Sequence, residues 1–570
     1  MKVSDYIVDF FVEKGVTDVF GYPGGMVTHL MDSFYNKQDK ISAHVNYHEQ
    51  ASAFCACGYA QASGKAGVAY ATSGPGATNL ITGICNAYFD SIPTIFITGQ
   101  VNTFETKGSM NVRQRGFQET DIIAITEKIT KYSSYIERAE DIRYELEKAW
   151  YIANTGRKGP VLLDIPSNIQ RTQIEPKMLR GYSVPNTEEK TEDIEMDCEK
   201  IAALLEKSKR PVLLVGSGVK SAGAVENIHT LVRKWNIPVV SSMPACDIFA
   251  VDREYNYGFI GAYGMRTANF IVAKADLVIA LGARLDVRQV GAKRTEFAPC
   301  AILVRVDIDA GELEYKVHKD EIAFHCDVKQ IVEKLCKHEV NLNAMLEWKS
   351  VCNHIRECLK GTDCRQPNKL LYYFSKKMPE DVVITTDVGQ NQVWIAQSFE
   401  LRRGQRVFFS GGHGAMGYSL PAAIGAYYAT RKPVICFSGD GGIQMNIQEL
   451  QFLSREQIPV LVVILNNNAL GMIRHFQEMY FDAVYCQTTE QGGYTTPDFE
   501  RLAGAYRIPY YRIKTVQDIE RYHYDGSYPQ IVEIQLEGPT YVFPKLEFGK
   551  PNQDQEPLLD RELYDELMSL

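Results

Sequence analysis

The sequence lacks several features that would place it outside the class of intracellular enzymes. No segment approaches the ~20 consecutive apolar residues that a membrane helix requires. Thirteen cysteines, an odd number, occur without a CxxC pair, as expected for reduced thiols and not for a disulfide framework. The net charge of -9 leaves no general basic excess for binding nucleic acid or anionic lipid. We therefore predict a cytoplasmic enzyme that acts on small molecules, with neither a membrane nor a nucleic-acid partner.

Short runs of apolar and β-branched residues alternate with helical-period stretches along the chain. Residues 161–163, 212–215 and 460–465 are examples, and such runs are typical of buried parallel strands. A chain of 570 residues with 45% hydrophobic composition is long enough for several cores. The pattern predicts an α/β protein with doubly wound parallel sheets in separate domains.

Two polar stretches interrupt this alternation and predict the domain boundaries. Residues 175–199 and 341–368 are charged or proline-bearing and read as linkers. The predicted domains are 1–175, 190–340 and 365–545, followed by a tail at 546–570. The tail either closes over another part of the molecule or forms a surface helix, and we favour the surface helix.

Two strand ends in the last domain carry residues typical of a phosphate and metal site. The strand at 434–438 runs into GDGG, which contains Asp440, and the strand at 460–465 precedes Asn467, about 27 positions further on. Carboxyl ends of neighbouring parallel strands meet at one edge of a sheet, where α/β proteins bind ligands. Carboxylate and amide oxygens suit Mg²⁺, and the glycines let the backbone approach a diphosphate. The spacing therefore predicts a metal-diphosphate site.

The strings GDGGIQMNIQELQFL and PVLVVILNNNALGMIRHFQ resemble the signature of thiamin-diphosphate enzymes, and in detail that of acetohydroxyacid (acetolactate) synthases. The resemblance implies three α/β domains of the thiamin-diphosphate enzyme type, with Mg²⁺ held by Asp440, Asn467 and the carbonyl of Ala469. It also implies that Gly414 and Met416, in GGHGAMGYSLPAAIGA, contact the two rings of the cofactor. Further cofactor contacts are expected at Gln390, Asn391, Gly439, Gly441, Gly442 and Met472.

Glu49 is the candidate catalytic carboxylate in the first domain. Thiamin needs a carboxylate at N1′ of its pyrimidine for general acid-base catalysis through the cofactor, and Glu49 stands in an HEQ-A run similar to the family's. Compensation of the helix dipole is the other explanation for a glutamate at a helix start. The resemblance also places Gln118 near the reacting carbon. It adds cofactor contacts in FGYPGG and TSGPGATN, at Gly24, Gly25 and Gly74.

The middle domain resembles the family's FAD-binding domain, with departures. The resemblance implies FAD contacts at Arg157, Gly216, Gly218, Gly261, Arg284, Arg288, Asp307 and Asp327. Tyr263 stands where the family has histidine, and Val287 where it has aspartate. The alternatives are a retained FAD and a domain kept only for packing. A retained flavin would be structural, because decarboxylation and ligation are redox-neutral.

The acceptor side of the pocket departs most from the family. Phe476 stands where acetolactate synthases carry a tryptophan that helps to select a second keto acid. The loop before Gln118 is longer than usual and contains Arg113 and Arg115, which either bind an anionic substrate or are solvated. His413 is either a proton donor to the product alkoxide or a buried, hydrogen-bonded structural histidine.

These features together predict a homodimeric or homotetrameric enzyme dependent on thiamin diphosphate and Mg²⁺. It would decarboxylate pyruvate or another 2-keto acid and transfer the two-carbon unit to a second carbonyl compound. The alternatives are a carboligase for another acceptor, such as a nucleotide-linked keto sugar, and a flavin-dependent pyruvate oxidase. A silent regulatory homologue is the non-enzymatic alternative.

Overall fold

Three parallel sheets of six strands each form the framework of the protein. The computed structural model describes residues 1–185, 191–340 and 345–570, and no side chain of 191–193. All strand pairs within the three sheets are parallel, and helices intervene between successive strands, so the predicted α/β class is confirmed. Such strands are covered by helices on both faces, which explains their continuous apolar runs.

The first sheet has the order β2-β1-β3-β4-β6-β5. Its strands are β1 (Asp18–Gly21), β2 (Ser42–Val45), β3 (Gly67–Ala71), β4 (Thr94–Gln100), β5 (Tyr132–Tyr135) and β6 (Pro160–Pro166). Its helices are α1 (Val3–Glu13), α2 (Thr28–Tyr35), α3 (Glu49–Ser63), α4 (Pro75–Asn79), α5 (Ile81–Phe89), α6 (Ile122–Thr126), α7 (Ile142–Asn154) and α8 (Ser167–Arg171). The order reverses between β1 and β3, so a crevice opens where these two strands end.

The middle sheet has the order β12-β11-β10-β7-β8-β9. Its strands are β7 (Pro211–Val215), β8 (Val239–Ser241), β9 (Asn256–Phe259), β10 (Leu277–Leu281), β11 (Ile302–Asp307) and β12 (Ile322–His325). Its helices are α9 (Thr191–Lys207), α10 (Gly218–Ser221), α11 (Val225–Trp235), α12 (Arg266–Lys274), α13 (Val287–Val290), α14 (Ala310–Glu314) and α15 (Val328–Leu335). Numbered within the sheet, this is the 3-2-1-4-5-6 order of dinucleotide-binding folds, with its switch point between β7 and β10.

The third sheet repeats the order of the first, as β14-β13-β15-β16-β18-β17. Its strands are β13 (Val383–Thr386), β14 (Arg406–Phe408), β15 (Val434–Gly439), β16 (Val460–Asn466), β17 (Tyr510–Ile513) and β18 (Gln530–Gln535). The helices from the second linker onward are α16 (Met345–Cys358), α17 (Gln366–Lys377), α18 (Gln390–Ser398), α19 (Ser419–Thr430), α20 (Asp440–Met445), α21 (Leu450–Glu456), α22 (Gly471–Tyr480), α23 (Phe499–Ala505), α24 (Val516–Arg521) and α25 (Arg561–Ser569). The predicted crossover between β15 and β16 is present and consists of α20, a 3₁₀ turn and α21.

The prediction that both polar stretches are linkers was wrong over part of their length. Within the first stretch, α9 begins at Thr191, and residues 186–190 lie outside the described residues. Within the second, 341–344 lie outside them, but α16 follows and buries Trp348, Cys352 and Ile355 in the core of the middle domain. The charged exposed faces of these helices hid their amphipathic period.

The first and third domains touch through backbone where α3 crosses α19. A Cβ added to Gly58 would lie 2.1 Å from the carbonyl oxygen of Ala422. A Cβ added to Gly425 would lie 1.9 Å from the carbonyl oxygen of Cys55. Real Cβ atoms do not approach oxygen this closely, so glycine is required at both positions. The two helices therefore pack without side-chain spacers between them.

The C-terminal tail packs on the middle domain. Leu567 of α25 is fully buried, and the Tyr564 ring makes an edge contact with Phe270 at 5.5 Å between centroids. Earlier in the tail, Arg266 donates to the carbonyls of Gln555 and Pro557. The tail thus combines a surface helix with a segment that covers the middle domain. Across the described ranges, no helix has the length and apolar character needed to cross a membrane.

Candidate active site and nucleotide cavity

The predicted metal ligands lie together at the edge of the third sheet. Asp440 begins α20 directly after β15, and its Oδ2 accepts from the backbone N–H of Asn467 at 3.2 Å and of Ala469 at 3.3 Å. Asn467 Nδ2 donates to Gln390 Oε1 at 3.0 Å. Because β13, β15 and β16 are neighbours, residues after each of them meet at one point. This is the switch point of the sheet.

The residues at this edge fit a Mg²⁺ ion with a diphosphate. Asp440 is 2% exposed, and burial raises the pKa of its carboxyl to about 6. No cation forms an ion pair with it among the described residues, so a bound metal ion would supply the missing positive charge. Among the residues that the structure describes, the buried Oδ1 of Asn391 has no hydrogen-bond partner. A buried acceptor without a donor and a buried carboxylate without a cation are both costly unless a ligand is present.

The described residues contain no cluster of three or more histidine, cysteine or acidic side chains suited to a metal. A cation at Asp440 would therefore depend on amide and carbonyl oxygens and on phosphate oxygens from a ligand. Mg²⁺ is commonly held in this way, with one or two carboxylates and substrate phosphates. The composition of the site thus favours a metal that arrives with a diphosphate.

Asp387 fixes the loop that contains Gly414 and Met416. The loop lies beside the edge of the third sheet that carries Asp440 and Asn467, which we call the metal edge. Asp387 carboxylate oxygens accept from the N–H of Gly417 at 3.0 Å and from Ser438 Oγ at 3.0 Å. The carboxyl is buried, which raises its pKa to about 6. A Cβ on Gly441 would lie 3.4 Å from Met416 Cε, so the methionine tip reaches the metal edge. The structure therefore brings the predicted ring and diphosphate contacts together.

Three polar residues of this site were missed by sequence reasoning. Thr540 Oγ1 accepts from Asn467 Nδ2 at 2.7 Å, and the Tyr494 hydroxyl donates to Asp440 Oδ1 at 3.1 Å. Asp387 is the third. Thr540 and Tyr494 stand in loops without a motif of their own, whereas Asp387 opens the DVGQNQ segment that also contains the predicted Gln390 and Asn391, and was detectable. The predicted Met472 packs in the adjoining core.

The predicted residues of the first domain form a second group at its own switch point. Glu49 begins α3, is 7% exposed, and accepts from Asn79 Nδ2 at 3.0 Å. A Cβ on Gly76 would lie 3.2 Å from Glu49 Oε1, which leaves one side of the carboxylate facing the glycine loop. Gln118 has φ +63°, and a Cβ on Gly74 would lie 2.9 Å from its Cβ.

The other two predicted glycines of the first domain lie near the same loop. A Cβ on Gly24 would lie 2.3 Å from Thr72 Cβ, whereas Gly25 has open space around it. Within the described residues, no hydrogen bond joins Glu49 to Asp440 or Asn467. We refer to the Glu49 group and the Asp440 group as the two half-sites.

Glu449 ties the third domain to the segment that carries Glu49. Its Oε1 accepts from the Tyr47 N–H at 2.7 Å, and its Oε2 accepts from Asn46 Nδ2 at 3.0 Å. The side chain is fully buried, and burial raises the pKa of the carboxyl to about 7. Glu449 thus fixes the backbone just before α3 from a neighbouring domain.

The prediction that His413 is a buried, hydrogen-bonded structural histidine was wrong. Its imidazole is exposed, makes no hydrogen bond with the described residues, and stacks on Phe89 at 5.7 Å and 8°. The adjacent Gly411 and Gly412 donate their N–H groups to Asp90. His413 is flanked by glycines, and its ring lies where this segment meets Phe89 of the first domain. Its role as a proton donor stays a prediction.

A cavity of about 920 Å³ lies among the three domains. The ends of β7, β10 and β11 open into it, and Gly218 and Gly282 pack backbone to backbone, with a Cβ on Gly218 2.7 Å from Gly282 Cα. The volume lies within the range of small-molecule and cofactor sites. The position at the switch point of a 3-2-1-4-5-6 sheet is where dinucleotides bind. Size and position therefore fit FAD.

Most of the predicted flavin residues line this cavity, namely Arg157, Gly218, Arg284, Arg288, Asp307 and Asp327. Two do not: Gly216 packs on Gly282, and Gly261 packs on the Arg288 carbonyl. The arginines are already engaged, because Arg157 pairs with Asp309 at 2.8 Å and with Glu312 at 2.6 Å, and Arg284 pairs with Glu312. A flavin phosphate at Arg157 would have to compete with these carboxylates.

The two arginines of the long loop have different surroundings. Arg115 Nη1 donates to the carbonyls of Phe104 at 3.0 Å and Thr106 at 3.2 Å, so it braces the loop. Arg113 is exposed. The prediction of an anion-binding pair is therefore reduced to Arg113. Phe476, the remaining residue of the predicted acceptor pocket, lies on α22, the helix that follows Asn467 and Ala469 in the chain.

Comparison with known proteins gives a consistent result for all three sheets. Family models described as the N-terminal TPP binding domain, the central domain and the C-terminal TPP binding domain of thiamine pyrophosphate enzymes match residues 1–125, 198–335 and 387–524. The chain is 34% identical over 556 residues to the acetolactate synthase large subunit of Lactococcus lactis, covering 96% of this chain and 94% of that protein. It is also 34% identical over 570 residues to acetolactate synthase isozyme 2 large subunit of Escherichia coli, covering 97% and 99%.

Proposed function

The chain belongs to the thiamine pyrophosphate enzyme family, and on this premise we propose that it decarboxylates pyruvate or a related 2-keto acid and joins the two-carbon unit to a second carbonyl compound. It is an enzyme of the acetolactate synthase type, with relatives that match nearly its whole length. The observation that carries the proposal is the buried Asp440 without a cation, beside the Met416 loop and the unpartnered Asn391 amide oxygen.

Each group of residues has a separate task in this proposal. Bound thiamin diphosphate would supply a nucleophilic carbon for the keto group and an acceptor for the electron pair that CO₂ leaves behind. Asp440, Asn467 and the Ala469 carbonyl would hold Mg²⁺ and through it the diphosphate. Glu49, fixed by Asn79, would hold a proton on its carboxylate and return it during turnover. A site that excludes water would favour loss of the carboxylate of the bound keto acid.

The test is the release of CO₂ from pyruvate in the presence of Mg²⁺ and thiamin diphosphate, with products identified by mass spectrometry. We expect Glu49→Gln to lower the rate of CO₂ release about 10²- to 10⁴-fold, the range of general acid-base catalysis, with cofactor binding retained. Asp440→Asn should weaken cofactor binding itself, measured by calorimetry. Glu127 is an exposed glutamate of the first domain, and Glu127→Gln is the control for the charge removed in Glu49→Gln.

The outcomes separate the alternatives. Acetolactate as the product supports the proposal, and a different ligation product identifies another acceptor. Oxygen consumption with acetyl products would indicate a pyruvate oxidase. If the protein neither releases CO₂ nor binds thiamin diphosphate, the enzymatic proposal fails and a regulatory homologue remains.

We further propose that the central cavity binds FAD as a structural cofactor. The supporting facts are the cavity volume of about 920 Å³, the strand order and the close glycine contacts. Denaturing the purified protein and measuring released flavin by absorbance and chromatography tests the proposal. If FAD binds, reduction of the flavin should not accompany turnover, since the reaction transfers no net electrons.

We also propose that the active enzyme is a homodimer or a dimer of dimers in which Glu49 of one chain completes the metal site of its partner. Large apolar side chains are exposed near both half-sites, including Phe104, Phe117, Ile473 and Phe481. Such patches are typical of interfaces. Sedimentation analysis gives the assembly size, and complementation gives the site composition.

The complementation experiment uses the two inactive variants already defined. When Glu49→Gln and Asp440→Asn chains are co-expressed, random pairing gives half heterodimers with one intact site each, so about a quarter of wild-type activity should return. If both groups came from the same chain, mixing would restore nothing. Neither variant alone should show this recovery at any concentration.

A further inference from the structure

The segment after β18 leads from the metal edge to the surface beside α22. Thr540 Oγ1 donates to Gln390 Oε1 at 2.8 Å and accepts from Asn467, and its carbonyl accepts from Arg474 Nη2 at 2.6 Å. The chain then follows α22 in the same direction, past Tyr541 and Phe543, to Lys545. Lys545 therefore lies on the side of α22 that begins at the metal edge.

Lys545 is a buried ammonium without an acidic partner. The residue is 7% exposed, and its Nζ lies 2.9 Å from Met479 Sδ, a weak acceptor. Within the described ranges, no carboxylate forms an ion pair with it; Glu556, its backbone neighbour, directs its carboxylate to the Leu558 N–H. Lysine is almost never fully buried without a partner, because the lost hydration must be replaced.

Phe476 lies beside this lysine, and three further aromatic side chains continue from Phe476 with part of their faces open to solvent. Phe476 lies 5.9 Å from Lys545 Nζ, and its ring is 4.7 Å from that of Tyr480 and 6.4 Å from that of Phe548. Phe481 is the fourth, at 5.9 Å from Phe476. Their exposed fractions are 37%, 36%, 71% and 57% for Phe476, Tyr480, Phe548 and Phe481. We call these four residues the aromatic cluster.

We propose that Lys545 and the aromatic cluster form the acceptor site, in which the Nζ ammonium binds the carboxylate of a second 2-keto acid and the rings cover its apolar part. The inference rests on the proposed function, since an acceptor exists only if the enzyme ligates. A carboxylate at Nζ would give the buried ammonium the partner that it lacks, and charge-assisted hydrogen bonds are among the strongest. The apolar rings exclude water from that pair.

The electrostatics of neighbouring residues agree with this assignment. Burial lowers the pKa of Lys545 to about 8, so the ammonium form still predominates at pH 7. The pKa of the adjacent His475 is lowered to about 4, by burial first and by the charge of Lys545 second. The histidine is therefore neutral near pH 7, and Lys545 carries the positive charge beside the aromatic cluster.

Of the two arginines predicted near the pocket mouth on the long loop, Arg113 is exposed and Arg115 does not compete for this role. Arg115 is committed to two loop carbonyls. Lys550, in the tail close to Lys545 in sequence, is 40% exposed and lies 3.8 Å from Asp554. It offers a matched control, because its replacement removes one positive charge from the same segment without opening a buried site.

The experiment compares a charged acceptor with a neutral one. Lys545→Met, Lys545→Arg and Lys550→Met are assayed with pyruvate as donor and either 2-oxobutyrate or benzaldehyde as acceptor. For Lys545→Met we expect the KM for 2-oxobutyrate to rise about 10- to 100-fold, the loss of a hydrogen bond to a charged group, with the KM for benzaldehyde unchanged. Lys545→Arg should keep most of the affinity, and Lys550→Met should match the wild type.

Three results would overturn the inference. One is an unchanged KM for 2-oxobutyrate in Lys545→Met, and another is an equal loss with both acceptors, which indicates a structural lysine. The third is read by calorimetry, as equal affinity of wild-type protein and Lys545→Met for 2-oxobutyrate. Calorimetry needs no turnover, so it decides the inference even when CO₂ release fails and the proposed function falls separately.

Discussion

Replacement of Glu449 tests how the third domain positions the segment that carries Glu49, the proposed catalytic carboxylate. Glu449→Ala would leave the Tyr47 N–H and the Asn46 amide buried without their acceptor. An unsatisfied buried donor costs about 1–3 kcal/mol, so we expect a loss of roughly 2–6 kcal/mol in the free energy of unfolding. Glu449→Gln keeps one carbonyl acceptor and should lose less.

The titration of Glu449 gives a second, sharper expectation. Burial raises its pKa to about 7 in the folded protein, from an ordinary value of 4.5. The folded state therefore holds a proton that the unfolded state has released, and stability falls as the pH rises between these values. From pH 5 to pH 8 this contribution amounts to about 2–3 kcal/mol at 1.36 kcal/mol per pKa unit. Glutamine does not titrate and should not show the decrease.

The assay is thermal and urea unfolding of wild-type protein, Glu449→Gln and Glu456→Gln at pH 5 and pH 8. The stability advantage of the wild type over Glu449→Gln should shrink by about 2–3 kcal/mol between these pH values. Glu456, partly exposed at the end of α21, the helix that follows Glu449, is the control and should give parallel curves. Parallel curves for Glu449→Gln as well would refute the argument, because they would show that Glu449 is ionised over the whole range.

Two further predictions concern packing and the central cavity. Gly425→Ala places a Cβ 1.9 Å from the Cys55 carbonyl oxygen, so we expect a loss of at least about 1–3 kcal/mol in unfolding measurements; Gly504→Ala, with nothing within 4 Å in a helix, should be neutral or stabilising. Arg157→Gln removes the ion pairs to Asp309 and Glu312 across two domains. We expect this substitution to lower the melting temperature whether or not Arg157 contacts the flavin. Flavin retention should fall only if the arginine also contacts the bound cofactor. Full retention would assign Arg157 to domain packing alone.

The strands and the metal edge were predictable from the sequence because their signals are local. The apolar run of β16 and the Asp440 motif can each be recognised within a few residues. The parallel pairing of β15 with β16 brings the carboxyl ends of these two strands together. The polar stretches were misread for a physical reason. A helix such as α16, charged on one face, buries only every third or fourth residue, so its average composition resembles a linker.

The partners of the site residues could not be predicted, because they come from distant loops. Thr540 and Tyr494 contact Asn467 and Asp440 from distant loops of the same domain, and Glu449 contacts Tyr47 of the first domain. The same holds for Lys545, which sits in a polar, proline-bearing segment and is recognised only by its burial without a carboxylate. Whether Phe476 and Lys545 select a keto acid stays a prediction.

The glycine crossing of α3 and α19 also bears on how this enzyme can change during evolution. Glu49 begins one helix, and the other follows the Met416 loop, so the spacing of these two segments is set by main-chain atoms. Substitutions cannot adjust that spacing gradually, since any larger residue at Gly58 or Gly425 forces the helices apart. We therefore expect variation at side chains away from this crossing, where an exchange leaves the spacing of α3 and α19 unchanged.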